Sequence, residues 1–448
     1  MRRWRALPGG EKLSLWEATA LAVGIIIGAS IFSLIGVGAA LAGRDLPLAF
    51  AASSLAALLV AYSYAKLGSK IVSNAGPIEF VLRGFGDSLA AGTLAFMLWF
   101  TYVASIALFA KTFAGYLLAL VGAEESRLNI ALVEAGVVAF FTLLNFKGSK
   151  AVGRAESFIV AAKLAVLLFL VAAGLPSIHP DWLAPALDRE HLAGVLYAAS
   201  FFFLSYTGFG LVTNASENIE DPERNVPRAI YLSLLIATIV YVSVAVVAVG
   251  STPVEKLAET KEYALAEAAR GAIGEAGFLL IGVGALFSTA SAINATLYGG
   301  ANVAYALARE GELPPVFERK KWFRAPEGLY ITALLGLALA LFLNLDGVAA
   351  VCSATFIIIY LAVIASHYRL RHITRGNGPL IAASFAVVAA ILAILLYHQY
   401  YTNPRSFYTI LASYLGAALV EYVYRSRTGR RIKKRRLARA TSTAPKQP

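Results

Sequence analysis

Twelve apolar runs, each close to the length a helix needs to cross a bilayer, dominate this chain of 448 residues. A hydrocarbon core takes about 20 residues of helix, and inside it every peptide group must be satisfied by the chain itself. The runs lie at Leu15–Leu41, Leu46–Ala65, Leu89–Val121, Ile130–Asn145, Ala155–Leu175, Leu192–Thr213, Ala229–Gly250, Gly277–Ala306, Leu329–Leu345, Val348–His367, Pro379–Tyr397 and Ser406–Val423. They predict an all-α polytopic membrane protein with 12 transmembrane helices. Only 15% of the residues are charged, against about 25% in soluble domains, which excludes a soluble enzyme. The first run follows Arg2, Arg3 and Arg5 as a secretion signal would, but it is too long and eleven more follow, so it reads as an uncleaved first span.

The basic residues alternate between the two faces of this scheme. Of 39 Lys and Arg, 30 fall on the face that carries both termini and seven on the other. Positive-inside logic places both termini in the cytoplasm of a cell-membrane protein. The tail motif Arg430-Arg431-Ile432-Lys433-Lys434-Arg435-Arg436 has the charge of a nucleic-acid contact, yet beside a membrane span it reads as an orientation signal and a contact for anionic lipid headgroups. No nucleic-acid partner is expected.

Two runs carry glycines and hydroxyls at mid-depth. The first holds Gly24-Ile25-Ile26-Ile27-Gly28-Ala29-Ser30, and the sixth holds Ser205-Tyr206-Thr207-Gly208-Phe209-Gly210, five runs later. Gly24 and Gly28 also form a small-residue packing pair. The functional alternative is an unwound segment whose freed peptide groups line a cavity, and interruptions at matching places in two halves point to a transporter built from inverted repeats. Broken helices offer amides at one stump and carbonyls at the other, which suits a zwitterion. The backbone of Gly28, Ala29 and Ser30 is then expected to take a carboxylate, and that of Ser205, Tyr206 and Gly208 an ammonium.

Three stretches resemble the amino acid, polyamine and organocation transporter superfamily over essentially the whole chain. They are Gly28-Ala29-Ser30-Ile31-Phe32, with Ser30 where glycine is usual; Tyr206-Thr207-Gly208-Phe209 running on through Ala215 to Ile230, with Gly210 where many members have Glu; and Ser291-Ala292-Ile293-Asn294 with Tyr305 to Pro314. The resemblance implies the leucine-transporter type of fold: a first five-span repeat over 15–175, a second over 192–367, two further spans over 379–423, and cytoplasmic segments at 1–14 and 424–448. It implies amino acid uptake, and Thr207, Phe209 and Ser291, which lie within the resembling stretches, are expected to join the substrate site.

Two lysines lie within the runs, Lys111 and Lys163. Lys163 stands nine residues beyond Arg154, about 13 Å into the span, where snorkelling is marginal. From the residues alone, a structural lysine bonded to backbone carbonyls and a functional one weigh equally. The resemblance favours function, because proton-coupled members carry a span-five lysine where sodium-dependent members hold their cation; Lys163 is then the proton-coupling residue. Lys111 is expected to reach the outer interface, and Glu134 to be interfacial.

Tyr102, Ser105 and Tyr360 are further candidates for the cavity wall, and the phenylalanines around the sixth-run break for a gate. Leu257 to Ile273 alternates charge with Ala and Leu as a short outer lid helix would, and the Glu217–Arg228 loop mixes charges suited to an inner gate. The histidines lie in or beside loops, and no metal cage, catalytic constellation or cofactor motif is expected. The reading is a non-enzymatic, proton-coupled importer of a neutral amino acid; the alternatives are an exchanger with the same fold and a membrane sensor that binds without transporting.

Overall fold

The computed structural model describes residues 12–28, 30–73, 76–145, 150–184, 188–214, 216, 219–310, 313–319 and 327–428. Among the described residues every regular element is a helix, with one isolated bridge between Leu13 and Ile219. Its helices are α1 (Leu15–Ile26), α2 (Ser30–Ala42), α3 (Leu46–Lys70), α4 (Pro77–Phe85), α5 (Leu89–Val121), α6 (Arg127–Asn145), α7 (Lys150–Gly174), α8 (Arg189–Phe202), α9 (Leu211–Asn214) and α10 (Pro222–Ser251). Then follow α11 (Val254–Glu259), α12 (Ala264–Ile273), α13 (Glu275–Glu310), α14 (Glu327–Phe342), α15 (Leu345–Arg369), α16 (Arg371–Thr374), α17 (Gly378–Thr402) and α18 (Pro404–Thr428).

Each expected run falls largely on helix, the first being interrupted at Ile27 and Gly28. Among the described residues nine stretches are long and apolar enough to cross a membrane uninterrupted. The difference from twelve has local causes: α2 and α3 run together as one such stretch, the break leaves α1 short, and the fifth and ninth runs contribute shorter apolar helices. The chain is a multi-pass membrane protein.

Local chemistry sets several boundaries. Ser14 and Glu17 form a reciprocal capping box that starts α1. α5 starts at the Ser88 cap and ends on Gly122, whose φ of 64° lets its amide fold back on the last turn.

Helices α1, α3 and α10 pack around the segment Phe203–Gly210, while α13 lies between α5, α7 and α14. Small residues allow the closest approaches: a Cβ at Gly194 would stand 2.1 Å from the Leu41 carbonyl oxygen, and one at Gly36 would stand 2.5 Å from the Lys261 backbone.

Several expectations are corrected. The outer lid is α11 and α12 joined by a 3-10 turn at Lys261–Tyr263, not one helix, and Glu267 anchors it, bonded to Lys256 and Arg270. Hydrogen bonds that Arg270 donates to Glu275, and the charges of both carboxylates, hold its guanidinium more firmly protonated than usual. The expected loop before the seventh span is already helical from Pro222, with Glu223 paired to Lys70; Glu217 and Asn218 lie outside the described residues. His367 is fully buried in α15, its ring nitrogens 3.0 Å from the Ser63 and Thr374 hydroxyls.

Lys111 and Glu134 face one another inside the protein. They form an ion pair at 3.2 Å with side chains 13% and 1% exposed, because α5 and α6 pack directly and each charge neutralises the other away from water.

Candidate functional site

The break in the first span falls where three successive isoleucines, stiff at χ1, meet glycine. α1 ends at Ile26, the Ile27 amide closes on the Val23 carbonyl, and α2 begins at Ser30. The backbone between them is non-helical at Ile27 and Gly28; Ala29 lies outside the described residues. In the sixth span, the segment Phe203–Gly210 winds as a 3-10 helix between α8 and α9 rather than unwinding. The tighter winding still disrupts the i to i−4 ladder, and its poorer geometry commonly marks a hinge.

Side chains from neighbouring helices reach into both breaks. Tyr241 of α10 donates its hydroxyl to the carbonyls of Ile26 and Ser205. Tyr360 of α15 donates to the Thr207 carbonyl at 3.0 Å. Thr207 and Thr213 bond back to the carbonyls of Leu204 and Gly210.

A cavity of about 340 Å³ lies between the breaks, within the range of small-ligand sites, about 300–1,000 Å³. Gly24, Gly28 and Ser30 form one wall, and Leu204, Thr207, Gly208 and Gly210 another. α5 contributes Thr101, Tyr102, Ser105 and Phe109, α13 contributes Thr296 and Gly299, and α15 contributes Phe356, Ile359 and Tyr360. Tyr102 can lie against α13 because a side chain at Gly299 would meet its ring at 3.1 Å. Among the described lining residues no carboxylate occurs, and the charged one is Lys163.

Lys163 is 4% exposed and donates Nζ to the Gly24 carbonyl at 3.2 Å. The ammonium therefore sits against the final turn of α1, where free carbonyls concentrate negative potential.

Of the residues expected at a substrate site, the cavity brings together Gly28, Ser30, Tyr102, Thr207 and Gly208. Four others are not among the described lining residues. Ser205 is buried with its carbonyl held by Tyr241, and Tyr206 turns its hydroxyl to the Phe50 carbonyl at 3.1 Å. Phe209 stacks on Tyr360 behind the wall, and Ser291 is buried on α13 one residue before the lining Ala292. Sequence reasoning missed Tyr64, Pro77 and Thr296, which all line the cavity. The signal for Tyr64 was present: it ends the Tyr62-Ser63-Tyr64 cluster of a largely apolar run, and such polar atoms in a span usually face protein.

The profile of the amino acid permease family matches residues 13–423. An uncharacterized protein of Methanocaldococcus jannaschii is 55% identical over 94% of this chain and 97% of its own length. The inner membrane transport protein YbaT of Escherichia coli is 32% identical over 93% of this chain and 96% of its own. The branched-chain amino acid permease BcaP of Bacillus subtilis is 29% identical over 69% of this chain and 70% of its own.

Proposed function

This chain belongs to the amino acid permease family, and from that membership we propose that it imports a neutral amino acid together with a proton by alternating access. The single observation that carries the reading is the cavity between two helix breaks, where the start of α2 faces a hollow with no described carboxylate in its wall. A substrate carboxylate would lie at the α2 amides from Gly28 to Ser30. Its ammonium would take the carbonyl side of the Ser205–Gly208 segment, and its side chain the space bounded by Tyr102, Thr296 and Phe356. A cationic substrate would meet Lys163 with no opposing acid, so a neutral one is favoured.

Lys163 would carry the coupling proton. While charged it tethers α7 to the last turn of α1; losing the proton would weaken that charge-assisted bond. The transport unit would comprise inverted repeats over 15–175 and 192–367, with both termini on the cytoplasmic face of the cell membrane and the basic tail against anionic lipid.

The Lys163 to Gly24 bond also supports a second reading, an exchanger in which the lysine is structural. A competition panel of labelled and unlabelled amino acids in proteoliposomes separates the possibilities. Inhibition by neutral amino acids but not cationic ones supports the substrate assignment. A strict need for internal amino acid supports exchange, and binding without flux would make the protein a sensor.

A further inference from the structure

One ring gathers three others from different parts of the fold. Tyr64 of α3 meets Phe80 of α4 edge to face at 6.0 Å between centroids, and Phe209 and Tyr360 at 5.4 Å each. Phe209 and Tyr360 stack on one another at 5.6 Å, so these two close a triangle with Tyr64, and Phe80 backs Tyr64 from α4. None is more than 2% exposed, although Tyr64 and Tyr360 both line the cavity. The cluster therefore separates the hollow from one end of the bundle. Tyr64 lies six residues before Lys70, the last residue of α3, about 9 Å along the axis. Phe80 sits on the short helix that follows. The sealed end is thus the one where Lys70, Arg83 and Arg369 emerge, the basic face.

Packing gives the cluster a mechanical meaning. Tyr64 and Phe209 belong to the group formed by α1, α3, α10 and the 3-10 segment, whereas α4 and α15, which carry Phe80 and Tyr360, both pack on α5. The ring pairs join the two groups across the cavity mouth, so opening toward the basic face must part them. α4 starts at the cavity. Its cap, Gly76, has φ of 55°, a conformation open to glycine, and Pro77 at its start lines the cavity.

We propose that Tyr64 is the seal of the gate at the basic end of the cavity, with Phe80 of α4 as its backstop. The Tyr64 hydroxyl makes no hydrogen bond to a described residue, so the seal needs the ring and not the phenol oxygen. This inference rests on the transport reading above, but its test does not require transport.

Cys352 is buried, so Cys352→Ala with Thr296→Cys places a single reporter thiol in the cavity wall. Vesicles with the basic face outward are then treated with a membrane-impermeant maleimide. Tyr64→Ala is expected to speed labelling by about tenfold or more, the shift that follows from losing contacts with three rings. Phe80→Ala, which leaves the cavity wall intact, is expected to speed it by less, and Tyr64→Phe to leave it unchanged. Unchanged labelling in both alanine variants would overturn the proposal. So would a Phe variant that behaves like the Ala one, because the hydroxyl would then be the active part. If the parent labels but carries no amino acid, the transport reading fails while the gate remains measurable.

Discussion

The Tyr241 hydroxyl bonds the carbonyl of Ser205 at 3.1 Å and also that of Ile26. One side chain on α10 thus holds both interrupted spans in register. Replacing it with Phe keeps the ring but removes the one proton that the two buried carbonyls share, at about 1–3 kcal/mol. Tyr241→Phe is expected to lower the thermal midpoint and to weaken substrate binding by about tenfold, the factor that 1.4 kcal/mol represents. Differential scanning fluorimetry and equilibrium binding read the two effects; an unchanged binding constant would show that the breaks are not coupled through this residue.

The buried Lys111–Glu134 pair carries a prediction of sign as well as size. Lys111→Met or Glu134→Gln alone leaves the partner without its counter-charge, and the loss in stability should be about 3–5 kcal/mol. The double variant Lys111→Met/Glu134→Leu should recover most of that loss, since a well-packed apolar pair is often neutral relative to the ions it replaces. Thermal unfolding of the purified protein tests this. Additive losses in the double variant would show that each charge has a separate indispensable partner.

A third expectation concerns the lid. A Cβ at Gly36 would lie 2.5 Å from the Lys261 Cα and 2.6 Å from its carbonyl oxygen, and backbone atoms cannot rotate away as a side-chain tip can. Gly36→Val should therefore lift the 3-10 turn between α11 and α12 and raise proteolytic cleavage there about tenfold, in line with a shift of about 1.4 kcal/mol toward an open form. A cleavage rate equal to that of the parent would mean that α2, rather than the lid, gives way.

The spans and both breaks were legible in the sequence because lipid permits few backbone solutions: a glycine and hydroxyl cluster in mid-run has few uses there. The 3-10 winding of Phe203–Gly210 was not legible, since nothing in Ser205-Tyr206-Thr207 distinguishes a tightened turn from an unwound one. Nor was the burial of Glu134, whose partner lies 23 residues earlier on another helix; pairing of that kind is set by helix rotation, which apolar composition hardly encodes. Tyr206 shows the same limit at the site itself. Its neighbours Thr207 and Gly208 line the cavity, yet a turn of the tight helix carries its own hydroxyl to Phe50.

The most direct test is accumulation of a labelled neutral amino acid by proteoliposomes under an inward pH gradient, without sodium, for the parent and for Lys163→Ala. The parent should concentrate the substrate and lose that capacity when the gradient is collapsed. Lys163→Ala should still bind substrate but accumulate no more than about a tenth as much, because the group proposed to carry the coupling proton, bonded to the Gly24 carbonyl, is gone. Accumulation by Lys163→Ala equal to the parent's would contradict the proton role assigned to this lysine.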